Sequence, residues 1–184
     1  MRNRIMILTI VASIVVPAYT YAAENSPSLK IPPQEVISKL LPGSQILGSG
    51  QMKYLGWLVY DATLYSKDRN ISPDKPFALK LNYHLSASKD QIAQRSLEGM
   101  REVGFTDEVK LAAWYRQMLK IFPNVRKGTQ LTGLYLPSKG AQFYLGSKHI
   151  GTIKDPQFGK WFFNIWLSER TNLKNLRRQL LGIS

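Results

Sequence analysis

The segment from Lys53 to Tyr65 limits the possible folds more than any other part of the chain. Apolar residues occupy both of its faces when it is drawn as a strand, in which successive side chains alternate between two faces. We therefore predict one long strand over residues 53–65, in the middle of a sheet that is covered on both sides. Asp61 and several tyrosine hydroxyls lie in this segment, and a buried polar group without a partner costs roughly 1 to 3 kcal/mol. These polar groups predict a pocket beside the strand.

The first two dozen residues have the order of a secretory signal peptide. Two arginines precede an apolar run from Ile5 to Val16, and small residues follow it. We expect residues 1–23 to be removed by cleavage near Ala22 or Ala23, and retention as an anchor is the alternative. The apolar run is shorter than the roughly 20 residues that cross a bilayer. The remaining residues 24–184 then form a single domain exported to a periplasm.

The composition limits the chemistry of the chain. There is no cysteine, so disulfides and zinc-thiolate sites are excluded. The two histidines, His84 and His149, have no ligand partner at a spacing typical of a metal site, and we expect neither a metal nor another cofactor. A formal net charge of +13 favours an anionic ligand or an anionic membrane surface as partner, whereas export argues against nucleic acid. The alternative is that the cations only keep the protein soluble. The sequence gives no indication of an oligomeric state.

The predicted elements follow the order strands, two helices, strands, two helices. This order is typical of an α+β domain with a mainly antiparallel sheet and a layer of helices on one face. Alternating apolar residues predict strands after the long one, over residues 78–85, 129–136, 141–145 and 148–152. Capping residues and apolar stripes predict helices, over residues 34–41, 88–103, 106–122, 155–167 and 171–181.

Two local patterns refine this prediction. Gly48 and Gly50 predict a turn or bulge between a strand over residues 45–49 and the long strand. In the helix over 106–122, the stripe from Val109 through Tyr115 to Phe122 is predicted to be buried.

The two C-terminal helices have unusual faces. Aromatic residues surround the helix over 155–167, which favours burial on most sides, and they either fill a core or line a cavity for an apolar ligand. The last helix presents Lys174, Arg177 and Arg178 opposite a row of leucines, which suits an anionic membrane surface. The alternative is an ordinary amphipathic helix, packed on the domain, with a solvated basic face.

Several segments together resemble the chalcone isomerase-like family, and in particular its exported bacterial branch. They are Gly48–Lys53, Val59–Tyr65, Gly151–Phe158, Ile165–Leu167 and Leu180–Gly182. The resemblance implies an antiparallel sheet and a layer of helices that enclose a cleft. Plant chalcone isomerases cyclise a flavonoid in this cleft, and a related plant group binds fatty acids there.

The resemblance places the side chains of the plant enzymes only approximately. Their strand arginine falls at or just before Lys53, and their strand threonine falls near Tyr60. Their helix asparagine falls near Arg95. Their tyrosine falls near Ser88 or Lys89, and their last hydroxyl falls near Gln157 or Phe158. Because none of these side chains is clearly retained, the resemblance argues against chalcone cyclisation, which depends on accurate placement of reacting groups.

The leading hypothesis is a non-catalytic binder of a small apolar anion such as a fatty acid. Its predicted ligand-binding residues are Lys53, Tyr60, Tyr83, Arg95 and Phe158, and no catalytic residue is predicted. The two cations either hold a carboxylate or phenolate or lie on solvated surfaces. One alternative is an isomerase or intramolecular lyase of chalcone isomerase type, with Tyr60 or Tyr83 as acid or base. The other is a membrane-surface or partner-binding protein that acts through its basic C-terminal helix.

Overall fold

The computed structural model describes residues 33–183, which form a six-stranded sheet and five helices. The strands are β1 (Gln45–Tyr54), β2 (Trp57–Ser66), β3 (Phe77–Tyr83), β4 (Gln130–Leu136), β5 (Gly140–Leu145) and β6 (Lys148–Ile153). The helices are α1 (Pro33–Leu40), α2 (Lys89–Glu102), α3 (Glu108–Ile121), α4 (Pro156–Leu167) and α5 (Lys174–Leu181). The predicted signal peptide lies outside the described residues.

The strands follow one another across the sheet in chain order, and each neighbouring pair is antiparallel. Helices α2 to α5 cover one face and enclose the main hydrophobic core. Helix α1 lies on the other face, where Ile37 packs with Tyr65, Ala78 and Leu134. The predicted α+β class is therefore confirmed, while the prediction of helices on one face is wrong for α1.

Residues 53–65 do not form one strand. β1 ends at Tyr54, a tight turn follows at Leu55 and Gly56, and β2 begins at Trp57. Both turn residues have positive φ angles, 47° and 84°. Two-residue hairpins favour turns of this kind because they match the twist of the flanking strands. The prediction of one strand was wrong because the apolar pattern continues through the turn. The strand after the turn still has Tyr60, whose side chain faces the main core.

Of the turn or bulge predicted at Gly48 and Gly50, the turn is wrong because β1 continues through both glycines, whereas a bulge does occur between Ile46 and Gly48. A Cβ atom on Gly48 would lie 2.1 Å from the backbone oxygen of Gln179, and one on Gly50 would lie 2.2 Å from the side-chain oxygen of Gln179. The glycines therefore allow α5 to lie directly against β1.

The helix ends agree with the predicted capping residues. Ser88 and Gln91 form the capping box of α2, and Asp107 and Asp155 cap α3 and α4. The buried face of α3 was predicted wrongly at its beginning, where Val109 is 82% exposed and Trp114 is buried instead. At the other end of the predicted stripe, Met118 and Phe122 are buried. None of the helices within residues 33–183 has the length and apolar character needed to span a bilayer.

Candidate functional site

A cavity of about 630 Å³ lies between the inner face of the sheet and helices α2 and α4. Most of its walls are aliphatic or aromatic side chains. The sheet contributes Leu79, Leu81, Leu131 and Phe143, and the helices contribute Ile92, Phe162, Phe163 and Ile165. Exposed residues such as Tyr54, Gln91 and Glu98 also line it, so the cavity opens to solvent beside α2. Its size and apolar walls are typical of a site for a small organic molecule.

Tyr60 brings a polar group into this apolar space. It lies in the middle of β2 with its side chain on the inner face, and it is 9% exposed. The indole Nε1–H of Trp166, near the end of α4, donates a hydrogen bond of 2.9 Å to the Tyr60 hydroxyl. Burial raises the pKa of Tyr60 to about 12, although the Trp166 hydrogen bond and the charge of Arg95 act in the opposite direction. The hydroxyl is therefore neutral at physiological pH and can donate its own proton.

Tyr83 stands beside Tyr60 on the neighbouring strand. The two residues face each other in the β2–β3 register, and their rings meet edge to face at 5.7 Å between centroids. Burial, and secondarily the proximity of Tyr60, raises the pKa of Tyr83 well above its usual value. Among the described residues, the Tyr83 hydroxyl has no hydrogen-bond partner, and the residue lines the cavity. Two neutral hydroxyl protons thus face one apolar space.

Arg95 lies at the mouth of the cavity, on the exposed side of α2. Its guanidinium lies 2.8 Å from a carboxylate oxygen of Glu102 and 3.2 Å from one of Glu98. The hydrogen bond that Arg95 donates to Glu102 is the main cause that raises the pKa of Arg95. Both glutamates also line the mouth. The positive charge of Arg95 is therefore already balanced before any ligand arrives.

The other two predicted ligand residues lie outside this cavity. Lys53 is exposed near the end of β1, where it faces Leu58 across the hairpin. Phe158 is fully buried at the first turn of α4, with its ring 5.6 Å from that of Trp114. Neither residue is among those that line the cavity. The structure thus brings together Tyr60, Tyr83 and Arg95, and a ligand role for any of the five residues stays a prediction.

Asp61, whose partner the sequence could not identify, points to the opposite face of β2 from Tyr60. One of its carboxylate oxygens lies 2.6 Å from His84 Nε2, and the other accepts from Gln51 at 3.0 Å. The hydrogen bond from His84 is the main cause that lowers the pKa of Asp61. Its polar group is satisfied outside the cavity and takes no part in the site.

The sequence did not indicate that Trp166 contributes a hydrogen-bond donor to the cavity. The sequence assigns it to an aromatic helix, but its indole N–H orients the Tyr60 hydroxyl. The available signal was general, since a buried tryptophan usually finds an acceptor for its N–H. Which acceptor it finds depends on the packing of α4 against β2.

A concavity of about 660 Å³ runs along the C-terminal part of α5, but its lining comes from that helix and the residues after it. Side chains from different elements do not converge there. Within residues 33–183, no group of three or more histidine, cysteine or acidic side chains is placed to hold a metal ion.

Comparisons with known proteins agree with this architecture. A comparison with curated proteins gives no match. Among solved structures, a fatty-acid binding protein of Arabidopsis thaliana has a similar fold, with a TM-score of 0.60 and 14% sequence identity. The similarity covers 76% of this chain and 87% of that one. The family model described as chalcone isomerase-like matches residues 46–182. This match covers most of the chain, so the protein belongs to the chalcone isomerase-like family.

Proposed function

We propose that the protein binds a small apolar anion, such as a fatty acid, without transforming it. The observation that carries this proposal is the apolar cavity of about 630 Å³ in which Tyr60 and Tyr83 present hydroxyl protons. Neither hydroxyl donates to another residue of the described chain. Both residues line the cavity, so their hydroxyl protons favour a ligand that carries an acceptor.

A carboxylate suits these donors. It accepts two hydrogen bonds, and a hydroxyl that donates to an anion forms a shorter and stronger bond than one between neutral groups. Because Arg95 is already paired with Glu98 and Glu102, the two hydroxyls rather than the guanidinium would hold the head group. The aliphatic and aromatic walls then enclose the apolar part of the ligand.

The tyrosines favour binding over catalysis. A general acid or base works best when its pKa is close to the operating pH. Burial instead raises the pKa of Tyr60 to about 12 and raises that of Tyr83 as well. Neither hydroxyl has a neighbouring base within hydrogen-bond distance among the described residues. These hydroxyls are suited to donate hydrogen bonds and poorly suited to exchange protons.

The structural similarity to a plant fatty-acid binding protein supports the choice of ligand class. The predicted signal peptide supports a location in the periplasm, where such a binder would carry or store a lipid-derived anion. These are parts of the proposal and are tested separately from the cavity itself.

The proposal is tested by titrating the purified protein with palmitate and measuring Kd. Loss of two hydroxyl donors in the double variant Tyr60→Phe, Tyr83→Phe should weaken binding by more than the roughly 10- to 100-fold expected for one hydrogen bond to a charged group. Tyr65→Phe is the matched control, because Tyr65 is also buried on β2 but packs on the opposite face of the sheet. Its Kd should remain that of the wild type.

Native mass spectrometry of the freshly purified protein gives a second measurement. A bound mass that chloroform extraction removes would support the proposal. The proposal would be abandoned if neither palmitate nor any other fatty acid bound. The same conclusion would follow if the double variant bound as tightly as the wild type.

A further inference from the structure

The tip of the β1–β2 hairpin exposes three large apolar side chains. Leu55 is 82% exposed, Trp57 is 71% exposed and Tyr54 is 64% exposed. Two of them belong to paired positions, since Tyr54 faces Trp57 across the turn. Single exposed apolar residues are common, but an adjacent group with two aromatic members at the end of a hairpin indicates a surface that contacts something else.

The same end of the sheet is basic. Antiparallel pairing places the start of β2, the end of β3, the start of β4 and the β5–β6 turn side by side at this end. The cations on these segments and on the start of α2 are Lys53, Lys89, Arg126, Lys127 and Lys148. All five are exposed, and none of them forms an ion pair within residues 33–183.

The acidic groups at this end are already engaged. Glu98 and Glu102, which line the cavity mouth together with Tyr54, pair with Arg95 at 3.2 and 2.8 Å. Asp61 lies 2.6 Å from His84 Nε2, and Asp90 accepts a hydrogen bond from the hydroxyl of Tyr115. The loops at the opposite end of the sheet carry both signs, including the pair Lys75 and Asp68 at 3.1 Å. Within the described residues, the adjacent exposed aromatic side chains Tyr54 and Trp57 thus stand at an end of the sheet that also carries exposed cations without ion pairs.

We infer that this end of the protein docks on an anionic membrane surface, with the hairpin tip inserted between lipid head groups. Tryptophan and tyrosine favour the interface between acyl chains and water, and lysine and arginine are attracted to anionic head groups. The charge argues against a second copy as the occupant, because two copies meeting tip to tip would bring their cations together. This inference replaces α5 as the docking element, since the leucines Leu176 and Leu180 of α5 are buried in the domain.

Docking in this orientation brings the cavity to the membrane. Tyr54 belongs both to the exposed tip and to the lining of the cavity. An apolar anion leaving the bilayer would thus reach the cavity along the hairpin. The transfer of a ligand rests on the proposed function, whereas docking itself does not depend on what the cavity holds.

The test measures binding of the full chain to vesicles of equal parts phosphatidylcholine and phosphatidylglycerol, and to vesicles of phosphatidylcholine alone. Leu55→Ser should lower the partition coefficient on the anionic vesicles by about tenfold. Lys127→Glu should lower it by about fivefold or more, and added salt should weaken binding of the wild type. Val109→Ser is the matched control for Leu55→Ser, because Val109 is equally exposed. Lys139→Glu is the matched control for Lys127→Glu, because Lys139 is an exposed lysine at the other end of the sheet.

Fluorescence gives a local readout that is independent of the N-terminal segment, which contains no tryptophan. In vesicles of equal parts phosphatidylglycerol and phosphatidylcholine, brominated acyl chains on the phosphatidylcholine should quench the wild type and the Trp161→Phe variant. The quenching should be lost in Trp57→Phe. Equal vesicle binding by Leu55→Ser and Val109→Ser would overturn the inference. So would quenching that survives Trp57→Phe, or a dimer in solution that Leu55→Ser converts to a monomer.

A separate measurement distinguishes this inference from the proposed function. Leu55→Ser should bind palmitate in solution with the wild-type Kd, because Leu55 does not line the cavity. Vesicle binding without any palmitate binding would leave the docking surface standing and remove the proposed ligand.

Discussion

The two ends of helix α4 carry similar aromatic residues and have opposite surroundings. At its first turn Phe158 is fully buried and packs on Trp114 and Phe143, with ring centroids 5.6 and 6.2 Å apart. In its last two turns, Phe163 and Trp166 border the cavity. Both ends anchor an indole N–H, since Trp114 donates to Asp155 at 2.8 Å and Trp166 donates to Tyr60 at 2.9 Å.

The neighbouring elements cause this difference. The first turn of α4, around Phe158, is the packed end of the helix. Phe105 covers it, with ring centroids 4.7 Å from Trp114 and 5.1 Å from Trp161. The last two turns of α4, which border the cavity, are its hollow end. Helix α2 covers this end with the smaller side chains of Ile92 and Ser96. The aromatic content of a helix therefore does not decide whether it fills a core or lines a site. The size of the side chains facing it decides this.

Truncation at the packed end should have the largest effect on stability. Phe158→Ala is expected to lower the free energy of unfolding by about 3 to 5 kcal/mol, because the ring is enclosed on all sides. Phe162→Ala should cost less, since the cavity already removes contacts from one side of that ring. Urea unfolding of the two variants measures the difference.

Ligand binding should show the reverse order in the same two variants. Phe162→Ala should change the Kd for palmitate, whereas folded Phe158→Ala should retain it. A larger stability loss in Phe162→Ala would contradict the distinction between the packed and hollow ends.

Much of the fold could be predicted from the sequence, because capping residues and alternation act locally. The capping box at Ser88 and the strands that follow α3 are examples. The tight turn at Gly56 was missed because apolar residues continue on both sides of it. The close contact of Gly48 with α5 was missed because it joins residues far apart in the chain.

The candidate site could be predicted only in part. Alternation along β2 and β3 indicates that Tyr60 and Tyr83 share an inner face, and the structure brings them together. The spacing of Arg95, Glu98 and Glu102 along a helix indicates that they can pair. Their position at the mouth of a cavity depends on how α2 packs, which the spacing does not indicate. The sequence could not show whether Phe158 fills the core or contacts a ligand, because either role requires an aromatic residue on the inner side of α4.

The hollow end has buried hydroxyls that titrate, whereas the buried rings of the packed end do not. The pKa of Tyr60 is raised from 10.0 to about 12. Between these values the unfolded chain loses the proton and the folded protein keeps it, so the free energy of unfolding should fall as pH rises, on the order of 2 to 3 kcal/mol for this group. Below pH 10 this contribution is fully present.

Urea unfolding across this pH range, compared between the wild type and Tyr60→Phe, isolates the contribution of Tyr60. The variant should lose less stability over the interval. An identical pH dependence in both proteins would show that the hydroxyl is not held in an apolar environment. The hollow end would then contain water in contact with Tyr60.

The two indole hydrogen bonds allow a smaller test of the comparison. Trp166→Phe removes the donor to Tyr60 and should lower the free energy of unfolding by about 1 kcal/mol beyond the change in packing. It should also raise the pKa of Tyr60 further, because the Trp166 hydrogen bond lowers that pKa. Trp161→Phe is the control, since within the described chain the Trp161 indole makes no hydrogen bond. Tyrosinate absorbance during an alkaline titration follows the shift, and indistinguishable titration curves for the two variants would contradict it.

The smallest effect is expected on the outer face of the strand that carries Tyr60. Asp61→Asn breaks the ion pair with His84, but the Asp61 side chain is 38% exposed, so solvent screening should limit the loss to below about 1 kcal/mol. The pKa of Asp61 is lowered by its partners, so this contribution is present above the usual pKa of an aspartate and is lost as pH falls through the lowered value. The Kd for palmitate should not change, because the carboxylate points away from the cavity. A change in that Kd would mean that the two faces of β2 are coupled, and the binding site would then extend beyond the residues at the hollow end of α4.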